Sequence, residues 1–499
     1  MAIDMGKIVE IQYGKIEGIE TDGLIKYLGI PYAVQPAGEL RWKRARECVK
    51  WDGVFQAKAY GPAAIQENQG QRCGSDECLT INVVRPLEGE NLPVFVWIHG
   101  GGYVCGSASD RLYHGDSFAR DGIIYVNFQY RLNVLGFYDF STYRGCELIE
   151  SNRGLSDMVM ALKWVHENIR AFGGNPDKVT IAGESAGAAA AMALMAVPTA
   201  KGYFQQVIAE SALCNCVMTP KTLRKNMDLF LEGMGWDEDN LYEKLTKADP
   251  FDLIKGAQYQ GRLHQYRNPG IFQPCPVVDD LLPERPLDAI RDGFANGIKL
   301  LIGTNLHEGI EFVKDNNTGF PNSWDMIYEM FRKNGNLDGY EAVKEYYADI
   351  KKVDKFGNAF VHFATDYAWE MPSIKAALYQ SKYADTWMYR FEYITKYAKD
   401  AGTFAAHAYE LPCVFKAVDH GFGKMLFGGE EEDDVRRICK DMHDSWVYFA
   451  KNGAPDPKNW PRFEGEVSPV RIFDHHTRTE VLDRASLMRV WGDMRFYEG

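Results

Sequence analysis

No stretch of this chain approaches the roughly 18 consecutive apolar residues that a membrane-spanning helix needs, so no span is expected. Met1 to Glu10 holds no basic cluster followed by an apolar core, and no secretory signal is read there. Positive charge is also short: 56 Lys and Arg stand against 69 Asp and Glu, a formal net charge of −13. That balance argues against nucleic acid and against anionic membranes as partners. Cysteine is sparse, ten in 499 residues, and only Cys73/Cys78 and Cys214/Cys216 lie close together. Neither pair has a second pair or a histidine at zinc-ligand spacing, so both read as structural and no metal is expected; no cofactor is expected either. Reduced thiols and a cytoplasmic location follow as expectations. Internal repeats and low-complexity linkers are missing too, so the chain reads as one α/β domain over 1–499. Its length exceeds the ~250–300 residues at which a single core stops growing, which calls for two lobes or large insertions.

What is present centres on Val179 to Gly187, Val-Thr-Ile-Ala-Gly-Glu-Ser-Ala-Gly, followed by an alanine-rich stretch from Ala188 to Ala196. A β-branched run, Gly-x-Ser-x-Gly and a helix in that order make the nucleophile elbow of an α/β-hydrolase. The turn that lifts Ser185 above a sheet is strained, and glycines two before and two after it leave room. The helix that follows aims free N–H groups at the site.

Along the chain, Ile8 to Ile19 suggests an opening hairpin and Gly61 to Gly74 a polar loop. Leu79–Val84, Pro93–Ile98, Ile123–Val126, Gln206–Ala209, Ile298–Gly303 and Asp385–Tyr393 read as strands, the last of them the final strong one. Leu155 to Ile169 has the apolar spacing of an amphipathic helix. Together these predict a mostly parallel sheet flanked by helices. Helical segments at about 220–260 and 310–383 are expected to form a lobe over the site. The acidic run Gly428 to Asp434 reads as a solvated loop or the first turn of a helix ending near Lys451.

Acyl transfer by a serine needs a base, an acid that orients the base, and donors for the oxyanion. In this fold the chain order is Ser, acid, His, each following a strand end. Of the histidines beyond Gly303, only His407 lies in the first loop after the last long strand. Glu308 occupies the loop after the preceding strand, with Glu311 as a local rival. His99-Gly100-Gly101-Gly102 offers bare backbone N–H groups, so Gly101, Gly102 and Ala186 are the expected oxyanion donors.

Further stretches run nearly the length of the chain: Tyr27-Leu-Gly-Ile-Pro-Tyr32, Gly38-Glu-Leu-Arg-Trp42, Ser75-Asp-Glu-Cys-Leu79, Trp97-Ile-His-Gly-Gly-Gly-Tyr103, Gln129-Tyr-Arg-Leu132, Asn152-Arg-Gly-Leu-Ser-Asp157, Ala161-Leu-Lys-Trp-Val-His166, Phe172-Gly-Gly-Asn-Pro176 and Trp460-Pro-Arg-Phe463. In these the chain resembles the type B carboxylesterases, a family that includes bacterial p-nitrobenzyl esterases, mammalian carboxylesterases and cholinesterases. The resemblance implies a Ser185–Glu308–His407 triad, the oxyanion donors already named, and Glu184 as a supporting carboxylate. It also implies a serine esterase acting on small to medium apolar esters, monomeric or weakly self-associating. The alternatives are a non-catalytic adhesion-like relative, an amidase or a lipase. Secreted relatives bridge the cysteine matching Cys78 to one near the position of Ala64; here that partner is missing.

Overall fold

The computed structural model describes residues 7–68, 70–314, 320–348 and 358–497. Met1–Gly6 of the signal reading, and 315–319 and 349–357 of the second helical segment, lie outside them.

The strands assemble an eleven-stranded sheet. From one edge it runs Arg478–Asp483, Val467–Phe473, Thr386–Phe391, Lys299–Asn305, Gln206–Glu210, Gly174–Glu184, Leu92–Ile98, Ile124–Phe128, Thr80–Pro86, Leu24–Pro31 and Ile19–Thr21. Every pairing from Val467–Phe473 to Ile124–Phe128 is parallel. Gln206–Glu210 and Ile124–Phe128 are buried at every residue, which requires cover on both faces. Parallel strands end on the same side, so the loops after Ile98, Glu184, Glu210, Asn305 and Phe391 converge along one edge of the sheet. Strand order reverses between Leu92–Ile98 and Gly174–Glu184, where α/β proteins open a crevice for ligands.

Two strand expectations need correction. Asp385–Tyr393 is not the last strand, because Val467–Phe473 and Arg478–Asp483 extend the sheet beyond it. Their signal is weak: the first contains Pro469, and the second is a half-exposed edge strand rich in charge. Gly61–Gly74 is not wholly loop, since Gln66–Asn68 and Gln71–Cys73 pair as a small hairpin. The opening hairpin forms as Ile8–Ile11 against Gly14–Glu17, and of the acidic run Glu432, Asp433 and Asp434 form the first turn of the Glu432–Asn452 helix while the residues before them are loop.

The 220–260 segment supplies helices Pro220–Met234, Leu241–Lys247 and Pro250–Arg267. The first shows why these residues form one. Thr219 Oγ1 accepts from the Thr222 N–H, Pro220 takes the first helical position, and Gly235 at φ +64° ends it. The second segment supplies Ile310–Lys314, Trp324–Lys333, Leu337–Ala348, Ala359–Thr365 and Met371–Gln380. Between the last two, Asp366–Glu370 winds as a π-helix, a local widening that often marks a functional site. Among the described residues no helix is long and apolar enough to cross a membrane.

Candidate active site

Ser185 ends the Gly174–Glu184 strand and caps the Ala186–Leu194 helix at φ +57°, ψ −122°. A side chain disfavours positive φ, so the surroundings must hold it there. Its N–H donates to Glu210 O at 2.9 Å, and its carbonyl accepts from the Ala189 N–H at 2.8 Å. The flanking glycines are required for space. A β-carbon on Gly183 would stand 2.7 Å from Ile98 O, and on Gly187 only 2.0 Å from the same atom. Gly187→Ala is therefore expected to cost about 1–3 kcal/mol through forced backbone movement. It should appear as a lower thermal unfolding midpoint; an unchanged midpoint would contradict this account.

The glycine loop lies directly on the elbow: a β-carbon on Gly100 would sit 2.7 Å from Glu184 O and 3.2 Å from Ser185 Cβ. Gly101 (φ +106°) and Gly102 (φ +61°) then turn back, and Gly101 O accepts from the N–H groups of Val104 and Cys105. The N–H groups of Gly101, Gly102 and Ala186 donate to no other described residue, and all three residues line the cavity that holds Ser185. Three free donors facing one cavity suit a developing oxyanion.

His407 Nδ1 lies 2.6 Å from Glu308 Oε2, although 99 residues separate the two in the chain. That distance makes the ring nitrogen the donor and leaves Nε2 as the base in the neutral ring. Glu308, fully buried, also accepts on Oε1 from Ser211 Oγ at 2.5 Å and from the Asn305 N–H at 2.6 Å. The exposed Glu311 accepts instead from Tyr409 OH at 3.2 Å. His407 Nε2 faces Glu184 Oε1 at 3.0 Å, while Ser185 Oγ forms no hydrogen bond with another described residue. Neither His407 Nε2 nor Glu184 Oε1 forms a hydrogen bond with a described residue, and ligand-free sites commonly show such loose contacts. Trp369 and Phe312 wall the ring at centroid distances of 5.1 and 5.3 Å.

Charge in this enclosure is unusual. Burial alone would pull the His407 imidazolium down, but the Glu184 and Glu308 carboxylates outweigh it and push it up to about 9. Burial raises Glu184 to about 7 against the pull of His407, and raises Glu410 to about 8 with Glu184 and Glu308 adding to it. Glu210, buried and accepting from Trp446 Nε1 at 2.7 Å, is also shifted upward, chiefly by burial.

Sequence reasoning missed Ser211, Glu210, Glu410 and the aromatic walls. Ser211 had a readable signal, since it follows its strand end as Ser185 follows the adjacent one. The cavity holds about 990 Å³, lined on one part by Phe272, Phe312, Phe320 and Trp369, with exposed Asp110 and Arg111 at its rim. His264 also lines it, buried and drawn down to about 4 by that burial, hence neutral. Among the described residues no group of three His, Cys, Asp or Glu is arranged to hold a metal ion.

A model of the carboxylesterase family matches residues 5–491. The chain is 38% identical over 489 residues to the para-nitrobenzyl esterase of Bacillus subtilis (strain 168), covering 95% of this chain and 96% of that one. Phenmedipham hydrolase of Pseudarthrobacter oxydans is 30% identical over 482 residues, covering 92% and 93%. Among solved structures, a PNB esterase superposes with a TM-score of 0.84 at 35% identity, over 97% of this chain and 99% of that one. A Geobacillus stearothermophilus carboxylesterase superposes with a TM-score of 0.83 at 30% identity, over the same shares.

Proposed function

Because this chain belongs to the carboxylesterase family and hydrolyses carboxylic esters, we propose that Ser185 is its nucleophile, His407 its base and Glu308 the acid that orients the base. The observation that carries this reading is the 2.6 Å Glu308–His407 contact beside a strained serine and three free N–H groups in one cavity. In acylation His407 Nε2 takes the Ser185 proton as Oγ attacks the ester carbonyl. The oxyanion settles on the N–H groups of Gly101, Gly102 and Ala186. The tetrahedral adduct collapses, His407 protonates the leaving alkoxide, and the alcohol departs. A water molecule then attacks the acyl-enzyme with His407 again as base, the acid is released, and Ser185 regains its proton. Glu308 keeps the proton on Nδ1, and Glu184 receives the charged ring between steps.

Small to medium, largely apolar esters fit the aromatic lining and the size of the cavity. The names of the relatives, para-nitrobenzyl esterase and phenmedipham hydrolase, support aryl-containing substrates. Gly261, His264, Phe312, Phe320 and Trp369 on the cavity wall support reading the 220–260 and 310–383 segments as its lobe. Ten free cysteines support the cytoplasmic reading, and the excess of acidic over basic residues, 69 against 56, supports reading the protein as one without a nucleic-acid partner.

The test is hydrolysis of p-nitrophenyl acetate, butyrate and decanoate by the purified protein. Rates at the uncatalysed background on all three would remove the apolar-ester reading. Phe272→Ala should shift the ratio of kcat/KM for decanoate over butyrate upward by about tenfold, since each methylene accommodated is worth ~1–3 kcal/mol. An unchanged ratio would place the acyl chain elsewhere.

Only the neutral imidazole acts as base, so kcat/KM should rise with pH along a limb set by His407, up to about 9 in the free enzyme. Glu184→Gln removes a carboxylate that favours the imidazolium, so the limb should move to lower pH. A limb that stays in place would detach Glu184 from the base.

A further inference from the structure

Apart from the catalytic groups, the aromatic part of the substrate cavity carries the amide of Gln273, a half-buried residue that follows Phe272 in the chain. Two neighbours set its orientation: His264, from the last turn of the Pro250–Arg267 helix, and Asn268, which caps that helix. Asn268 Nδ2, which can only donate, lies 3.2 Å from His264 Nδ1. The buried His264 ring is neutral, drawn down to about 4, so its proton sits on Nε2. That N–H donates to Gln273 Oε1 at 3.1 Å, which holds the amide oxygen on His264 and turns the NH₂ away from it. Gln273 Nε2 gives one hydrogen to Met218 Sδ at 3.4 Å, a weak acceptor that Asn226 Nδ2 already uses at 3.2 Å. Its second hydrogen has no acceptor among the described residues.

We propose that Gln273 is a specificity-determining residue whose remaining N–H takes an uncharged acceptor oxygen on the acyl chain of the substrate, with His264 and Asn268 as its positioning residues. The favoured substrates are then esters with a keto or ether oxygen along the acyl chain, ahead of plain hydrocarbon esters of the same length. This rests on the ester-hydrolase reading of the cavity and narrows its substrate class. The Phe272 and Phe320 rings, with centroids 5.3 Å apart, make this part of the wall apolar. A hydrocarbon chain lying there displaces water from the amide and leaves its donor unpaired, whereas an oxygen satisfies it. The amide cannot turn over to offer its oxygen instead, because the NH₂ would then meet the His264 N–H. Acceptors are therefore favoured over donors. An uncharged acceptor fits because His264 is neutral and Arg111 stands exposed at the rim, so no cation lies beside the amide to offset a buried anion.

The test pairs p-nitrophenyl butyrate with p-nitrophenyl methoxyacetate, and p-nitrophenyl pentanoate with p-nitrophenyl levulinate. For each pair, kcat/KM of the oxygen-bearing ester is divided by that of its hydrocarbon parent. The ratio is measured in the full-length wild type, Gln273→Leu, Gln273→Glu and His264→Phe. The intrinsic reactivity of each ester cancels when ratios are compared between proteins. In at least one pair the wild-type ratio should exceed that of Gln273→Leu by about three- to tenfold, the effect of one hydrogen bond. Gln273→Glu keeps the size and the acceptor for His264 but has no donor, so its ratio should fall at least as far. His264→Phe releases the amide and should lower the ratio with Gln273 still in place, which a merely structural role would not do. Gln273 is half-buried, so Gln273→Leu decides the matter should the change at buried His264 prevent folding. Equal ratios in the wild type and Gln273→Leu for both pairs would overturn the proposal and leave the ester-hydrolase reading standing. Wild-type rates at background on the hydrocarbon and the oxygen-bearing esters alike would overturn that reading, and the proposal with it.

Discussion

Ser185→Ala is expected to lower kcat/KM for p-nitrophenyl butyrate by about four to six orders of magnitude with the fold intact. The change removes one oxygen. Every contact that holds the elbow is made by backbone: Ser185 N–H to Glu210 O, Ala189 N–H to Ser185 O, and the close packing of Gly183 and Gly187 on Ile98. Because Ser185 Oγ bonds to no other described residue, no partner is left unsatisfied. The glycine-loop and Ala186 N–H groups survive, so a small residual rate above background is expected from oxyanion binding alone. Circular dichroism and the thermal midpoint should match the wild type. A variant that folds alike and keeps more than about a hundredth of the rate would show that Ser185 is not the nucleophile.

Glu308→Gln should cost about 10⁴-fold in kcat, nearly as much, by a different route. The carboxylate takes three donors on two oxygens: His407 Nδ1–H, the Ser211 hydroxyl and the Asn305 N–H. An amide has one acceptor oxygen, so its NH₂ must face one of them. Facing His407, it forces the proton onto Nε2, and the ring can no longer take the serine proton. Facing Ser211 and Asn305 instead, it collides with a backbone donor that cannot rotate away. The variant also loses a negative charge beside the imidazolium, so whatever activity remains should depend on pH along a limb shifted downward. Ser211→Ala is the control: it removes one of the three donors and leaves the tautomer alone, so a far smaller loss is expected. Equal losses in the two would mean that orientation of Glu308, rather than its charge, dominates.

The parallel core was legible because strands buried on both faces read as continuous apolar runs, as in Pro93–Ile98 and Ile298–Gly303. Val467–Phe473 was not, since Pro469 and Arg471 interrupt its apolar run, and Arg478–Asp483 was not, since an edge strand in water obeys no such constraint. The same contrast divides the site. Ser185 stood out because its strained turn needs glycines at fixed, local spacing. Glu308 and His407 stood out because a parallel sheet places every strand's exit on one edge, so chain order becomes position.

The elbow and the glycine loop were legible in the chain alone, because each depends on a backbone requirement satisfied within a few residues, and strand order was enough to single out Glu308 and His407 as candidates. Tertiary structure decided which groups surround them. Ser211 meets Glu308 across 97 residues and Trp446 meets Glu210 across 236, while Trp369 reaches His407 from a π-helical turn. Those meetings follow from strand register and helix packing. They set the charge on His407 and the shape of the cavity, because burial and distance exist only once remote segments have been brought together.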